Sequence, residues 1–246
     1  NIAWLYGLYN IAIILFAVYY KLIKKKNIIQ LSLTTAPPVA LLYTTCNDFE
    51  KASALSCTNQ DYPHYTVYIL DDSSNEESKK QVDEFASLYP NLVSVIRRCN
   101  RHAYKAGNLN NALGQIKEKY FAIADADEIL PVNFLSKTVA VMEADESCGF
   151  VQANHRANPN TKSKLAKSLG TGIDIHWEWY QPLRNEYGFV MFLGHGALLR
   201  KDCWEKIGGF PEIVSEDLGF AIRIRELGYR GYFQEDVICY EDFLET

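Results

Sequence analysis

Short β-rich runs, each ending in charged or polar residues and alternating with helical patterns, constrain the fold of this chain more than any other feature. Val39–Thr45 is the first and ends in Cys46-Asn47-Asp48; Thr66–Leu70 ends in Asp71-Asp72-Ser73-Ser74. Leu92–Ile96 ends in Arg97-Arg98, Phe121–Ala124 ends in Asp125-Ala126-Asp127-Glu128, and Gly149–Ala153 is a fifth run, with a helix predicted around Asn133–Met142 before it. Strands alternating with helices predict an α/β fold whose mostly parallel sheet is covered on both faces. In such open sheets ligands sit outside the carboxyl ends of the strands. That rule gathers Asp48, Asp71, Asp72, Arg97, Arg98, Asp125 and Asp127 into one predicted cleft. The 246 residues suffice for one substantial domain of this kind and leave little room for a second.

Ahead of these runs, Ile2–Tyr20 carries no charge, and Asn10 is its one strongly polar residue. As a helix it is about 28–30 Å long, enough to cross a bilayer core. Trp4, Tyr6 and Tyr9 toward one end and Tyr19 and Tyr20 at the other match interfacial aromatic belts, and Lys21, Lys24, Lys25 and Lys26 follow at once. The positive-inside rule puts the lysine end, and everything after it, in the cytoplasm. The organisation expected is a transmembrane helix over 1–23, a basic juxtamembrane linker over 24–38 and a cytoplasmic domain over 39–246, anchored to the cell membrane. A buried core helix is the alternative for the first segment. Six well-spaced cysteines with no Cys-x-x-Cys pair indicate neither zinc spacing nor a disulfide framework, and a reducing compartment is the simplest reading. A net charge of -5 and a pI near 5.6 argue against a chain-wide nucleic-acid footprint.

Asp125 and Asp127 stand two apart at a strand end, so extended backbone turns both carboxylates to one side, where they repel. Mg²⁺ or Mn²⁺ removes that repulsion, binds through such carboxylates plus phosphate oxygens, and stabilises a departing diphosphate. A helix cap or a decorated turn is the alternative, and Glu128 is read as a bystander. Asp71 and Asp72 can accept hydrogen bonds from a nucleoside, or form a plain Asx turn. The segment 101–108 opens a predicted helix, where backbone donors and Lys105 favour a phosphate; a solvated basic loop is the other reading. Ser215-Glu216-Asp217 precedes the helical run Leu218–Leu227, as caps or with Asp217 as a general base toward an acceptor hydroxyl. In Phe192-Leu193-Gly194-His195-Gly196 a histidine stands between glycines that permit close backbone approach. His195, with Gly194 and Glu216, is read as acceptor-binding, against a satisfied structural role for the histidine. Trp177-Glu178-Trp179-Tyr180 suits a sugar face, a membrane surface or the core of an amphipathic helix.

Taken in this order, the motifs resemble those of the inverting GT-A glycosyltransferases of family 2, of the cellulose, chitin and hyaluronan synthase type, across nearly all of residues 38–246. The matching elements are Leu70-Asp71-Asp72-Ser73, the segment His102–Asn108, Asp125-Ala126-Asp127, Phe192–Gly196, Gly208-Gly209-Phe210 and Ser215-Glu216-Asp217. The resemblance implies a GT-A, Rossmann-like domain and a nucleotide diphosphate sugar as donor, a UDP-sugar foremost. Asp72 would lie near the base and ribose, Lys105 near the diphosphate, and Asp125 and Asp127 in the donor and metal site. Asp217 would be the base of a single displacement that inverts the anomeric centre and extends a β-linked polysaccharide. The membrane helix would belong to a bundle, with further membrane or polysaccharide-export subunits as partners. Polymer-making members carry a Gln-x-x-Arg-Trp motif downstream of the Glu-Asp pair. This chain stops at Glu245-Thr246 without it, and Tyr240-Glu241-Asp242-Phe243 reads as the lead-in, so truncation is expected. Competing readings are a single-sugar transferase to a lipid or glycan acceptor, a non-catalytic nucleotide-sugar-binding subunit, and a metal-dependent hydrolase of nucleotide sugars.

Overall fold

The computed structural model describes residues 2–23, 33 and 35–242, so most of the predicted basic linker, with Lys24, Lys25 and Lys26, lies outside the described residues. In chain order the elements are helix α1 (Ile2–Ile23), strand β1 (Val39–Thr45), α2 (Lys51–Thr58), β2 (Tyr65–Asp71), α3 (Glu76–Leu88), β3 (Val93–Ile96), α4 (Tyr104–Leu113), β4 (Tyr120–Asp125), β5 (Glu128–Ile129), α5 (Phe134–Ala144), β6 (Cys148–Ala157), α6 (Lys164–Ile175), a π-helical turn (His176–Tyr180), α7 (Gln181–Tyr187), β7 (Ala197–Arg200), α8 (Lys201–Ile207), α9 (Glu216–Glu226) and β8 (Arg230–Glu241).

The central strands are apolar on both faces, as a doubly covered sheet requires. β1 sends Val39, Leu41 and Tyr43 to one face and Ala40 and Leu42 to the other; β4 divides Tyr120, Ala122 and Ala124 from Phe121 and Ile123 in the same way. The first face is closed by Ala54 of α2, Val82 and Phe85 of α3, and Phe134 and Val139 of α5. The second is closed by Ala106 and Leu109 of α4, Cys203 of α8, and Phe220 and Ile224 of α9. Each large side chain buried in this way contributes roughly 1.5–3 kcal/mol.

Among the described residues one sheet of eight strands has the order β3-β2-β1-β4-β7-β6-β8-β5. β3, β2, β1 and β4 run parallel. β7 is antiparallel to both β4 and β6, β8 joins β6 in parallel, and β5 closes the edge antiparallel to β8. The mostly parallel sheet expected from the sequence is therefore present, with β5, β7 and β8 added to it. Those three escape a periodicity reading for physical reasons. β5 has two residues and β7 four, while β8 slips in register against β6 between Ala153 and Asn154, opposite Gln234 and Ile238. A bulge of that kind breaks the two-residue alternation that marks a strand.

Within α1, Ala3–Leu22 has a mean hydropathy of 1.5, is only 11% buried, and is long and apolar enough to cross a membrane. The far end of the helix docks on the π-helical turn and α7. Lys21 Nζ meets Glu178 at 2.5 Å and lies 3.8 Å over the Trp179 ring, while Phe16 and Tyr20 pack against Tyr187 with ring centroids 5.3 and 6.1 Å apart. Trp177 turns the other way and stacks on His155 and Phe233. The aromatic run thus serves both the core and the seat of α1. α6, which leads into the same turn, leaves Leu165, Leu169, Ile173 and Ile175 exposed.

Candidate active site

Strand parity decides which acids face the cleft. Thr44 and Asp125 continue the face of Ala40, Leu42, Phe121 and Ile123, the face that α4 covers. There the Thr44 hydroxyl donates to Asp125 Oδ1 at 2.6 Å, and Lys105, in the first turn of α4, bonds both Asp125 oxygens at 2.6 and 2.7 Å. Burial pushes the Asp125 carboxyl up, but Lys105, then His195 and the Thr44 hydroxyl, hold it down at about 2. Asp127 is exposed at the same strand end, and its carboxyl is raised by partial desolvation and by the charge of Asp125. The strand ends at Asp125, so the extended backbone expected through Asp127 gives way to a turn, and both acids still line one cavity.

The neighbouring acids divide by the same rule. Asp71 continues the face of Val67 and Ile69, which packs on α3, and its buried carboxylate accepts from Arg97 Nε at 2.7 Å and from the Ser73 amide at 2.9 Å. Arg97 also pairs with Asp83 of α3. Asp71 is thus turned away from the cleft that Asp72, one residue on, helps to line. Asp72 and Arg98, each 8% exposed at the side chain, form a two-point pair at 2.9 and 2.6 Å, and Arg98 also donates to the carbonyls of His102 and Tyr104. That guanidinium pins the loop leading into α4. The loop is under backbone strain, with left-handed φ of 55° at Ala103 and 46° at Tyr104, and no side chain caps the helix start. Gly107 makes the joint possible, because a Cβ there would lie 2.0 Å from the His102 carbonyl oxygen.

Between these groups opens a cavity of about 640 Å³, lined among others by Asp48, Asp72, Arg101, Tyr104, Lys105, Asp125 and Asp127. Its size is that of a small-molecule site. Asp217, in the first turn of α9, approaches from the side: a Cβ at Gly194 would stand 3.7 Å from both Asp217 Oδ2 and Lys105 Nζ. Gly194 therefore lies between the two, with a φ of 85° that suits glycine. Glu216, half-buried beside Asp217, has its carboxyl raised by desolvation and by the charges of Asp217 and Asp125, with Lys105 opposing.

His195, read from the sequence as acceptor-binding or as a structural side chain, and Glu128, read as a bystander, share one place. Both lie beneath the cleft and outside its lining, packed with His155 of β6 and with Glu241, which β8 sets opposite Glu128. Glu128 and His155 have no side-chain exposure. Burial opposes protonation of His195, yet the adjacent Glu128 and Asp125 raise it to about 9; burial and His195 together drive His155 down. Glu241 is raised to about 7 by burial and by neighbouring carboxylates, against the pull of His195. His155 had a legible signal, since one more turn of strand alternation beyond Ala153 reaches it. Glu128 and Glu241 had none, because only the β5–β8 pairing brings them together.

Residues 51–208 match the family model described as glycosyl transferase family 2. Over 239 residues, 92% of this chain and 14% of the relative, the sequence is 29% identical to cellulose synthase 2 of Novacetimonas hansenii. It is also 29% identical over 188 residues to the UDP-forming cellulose synthase catalytic subunit of Komagataeibacter sucrofermentans, covering 73% of this chain and 24% of that protein. The chain thus spans a quarter or less of the length of these relatives. Among solved structures, a Pyrobaculum calidifontis mannosyltransferase in complex with GDP-Man and Mn²⁺ superposes with a TM-score of 0.68 at 24% identity, covering 94% of this chain and 64% of that one. S. aureus TarS in complex with UDP-GlcNAc gives 0.63 at 16% identity, covering 85% and 59%. At these identities the structural likeness concerns the fold, and the fold is GT-A.

Proposed function

Because the chain belongs to glycosyl transferase family 2, we propose that it is the catalytic part of a membrane-bound inverting hexosyltransferase that moves a sugar from a nucleotide diphosphate sugar to a growing β-linked polysaccharide. One observation carries the reading: Asp125, Lys105, Gly194 and Asp217, from four separate segments, meet beside a single open cavity whose wall includes Asp72. A scaffold or a structural ion pair needs no such convergence. The family relatives named as cellulose synthases, one of them UDP-forming, favour a UDP-sugar and a polysaccharide product.

Asp72 and the Arg98-pinned loop hold the nucleoside side of the cavity. Lys105, at the start of α4, supplies a cation to the diphosphate, and the unpaired amides of a helix's first turn add to it. For that, Lys105 must shift part of its bonding from Asp125 to the incoming phosphates. The raised carboxyl of Asp127 beside charged Asp125 is a donor set suited to a hard cation. Asp125 and Asp127 would hold Mg²⁺ or Mn²⁺, which neutralises charge on the departing nucleoside diphosphate. Asp217 takes the proton from an acceptor hydroxyl as that oxygen bonds to the anomeric carbon and the carbon–phosphate oxygen bond breaks. Attack from the face opposite the leaving group turns an α-linked donor into a β-linkage. The apolar α1, its seat on the π-helical turn and the exposed apolar side chains of α6 support a catalytic domain held at the membrane, and the lysines that follow Tyr20 in the sequence favour its cytoplasmic side.

Three measurements on the intact protein test this. In a binding panel of UDP- and GDP-sugars, at least one should bind with a dependence on Mg²⁺ or Mn²⁺; metal-independent silence across the panel sinks the reading. Asp217→Asn should leave donor binding unchanged and lower transfer by about 10²–10⁴-fold. Full transfer activity in that variant would remove Asp217 from the role of base. Products longer than one added sugar separate polymer extension from single transfer.

A further inference from the structure

We propose that Glu128, His155 and His195 form a second metal site, of the imidazole-and-carboxylate type that suits zinc-class transition ions, buried beneath the Asp125–Asp127 cleft and separate from it. The proposal does not rest on the donor-site metal.

Three observations carry it. The first is distance. A Glu128 oxygen, a ring nitrogen of His155 and one of His195 lie within 4.8 Å of one another. Glu128 stands 3.7 Å from His155 Nε2 and 3.4 Å from His195 Nδ1. Zinc-class ions bind nitrogen and oxygen at about 2.0–2.2 Å in tetrahedral sites, which sets neighbouring ligand atoms about 3.4 Å apart.

The second is unmet bonding capacity. Glu128 Oε1 is buried with no hydrogen-bond partner, and His195 Nδ1 has only Glu128 Oε2, at a long 3.4 Å. A bare carboxylate oxygen in a dry interior is costly, and a cation satisfies it. The Gln152 amide does not meet the need. Its nitrogen donates to the carbonyls of His195 at 2.9 Å and Gly196 at 3.1 Å, and its oxygen accepts from the Leu193 amide at 3.1 Å. With both protons committed, it has none for His155 Nε2, 3.2 Å away. That nitrogen keeps its lone pair.

The third is how the site is framed. The opposite ring nitrogens, His155 Nδ1 and His195 Nε2, lie 3.9 and 3.7 Å from the Glu241 carboxylate, within a small shift of the outer-shell contact that steadies metal-binding imidazoles. On the near side Gly196, with a φ of 55°, leaves open the space where a Cβ would fall 2.2 Å from His155 Nε2 and 2.4 Å from Glu128 Oε1. The ligands come from β5, β6 and the segment entering β7. An ion there would cross-link three parts of the sheet directly below Asp125 and Asp127.

The test uses the intact protein, stripped of metal and then titrated with Zn²⁺ or Co²⁺ in the absence of nucleotide. The expected result is one tightly bound equivalent that survives Asp127→Asn, with the visible absorption of four-coordinate Co²⁺. His195→Asn should weaken that equivalent at least about 100-fold. X-ray absorption on the zinc-loaded wild-type protein should find two imidazoles in the first shell, which decides the matter even if His195→Asn does not fold. No bound equivalent, a zinc shell without imidazole, or binding lost in Asp127→Asn but kept in His195→Asn would each overturn the proposal. Glu128 and His195 would then stand as a metal-free ion pair.

Discussion

At the scale of single residues, the site obeys the two-residue repeat of the strands. Asp125 and Thr44 share a face, so they meet; Asp71 falls on the opposite face from the cleft and is spent on Arg97. The sequence marks the strand ends well enough to nominate both acids, but parity separates them only once the end of β2 is known to one residue. The same locality explains why Asp72, Lys105 and Asp125 were legible while Glu128 was not. The first three stand at the ends of elements with clear periodicity, whereas the surroundings of Glu128 are built by a two-residue strand pairing across the chain. Away from the site, Glu143 makes a prediction of its own. It accepts from the Tyr120 hydroxyl, from Lys119 at 2.6 Å and from Thr35 at 2.8 Å. Burial raises its carboxyl, but these donors hold it down at about 2. A depressed carboxyl stabilises the fold above its unfolded value near 4.5, and that contribution is lost as pH falls toward 2. Glu143→Gln should therefore cost roughly 2–3 kcal/mol in denaturant titrations at pH 7. The difference from wild type should shrink steadily below pH 4.5. A pH-independent difference would argue against the assignment.

At the scale of elements, the joint between β3 and α4 carries the most constraint. Two successive left-handed residues, an uncapped helix start and the close packing at Gly107 are held by one guanidinium, that of Arg98. Strain of this kind is retained where the surroundings over-determine it, and it clusters at ligand sites. Gly107→Ala places a methyl group against the His102 carbonyl and the Arg98 side chain. It should cost about 1–3 kcal/mol in thermal or chemical unfolding and weaken nucleotide-sugar binding. An alanine variant with wild-type stability and donor affinity would show that the loop repacks freely. The parallel half of the sheet was readable because β1 and β4 are buried on both faces and, with β2, stand out as short apolar runs between helical patterns. The antiparallel half was not, because β7 is too short and β8 carries Gln234, Glu235 and Asp236 through its bulge.

At the scale of the whole molecule, α1 is long, apolar and nearly bare, yet its last turns are tied to the domain by Lys21, Phe16 and Tyr20. If this helix spans a bilayer, the intact protein should stay with membranes through high-salt and alkaline carbonate washes. Recovery in the carbonate supernatant would count against a span. Tyr187→Ala should leave that partition unchanged but loosen the domain from its anchor, read as faster proteolysis between residues 24 and 38.

The order of the strands also has a history in time. β2 pairs with its near neighbours β1 and β3, β4 closes on β1 and β8 on β6 over longer and similar spans, and the pairing of Glu128 with Glu241 is more distant in sequence than any of these. Loop closure makes such distant pairings slow. During folding, the half-sheet that carries Asp72, Lys105 and Asp125 can assemble while Glu128 and His155 still lie open to water, and the arrival of β8 is the event that seals them in.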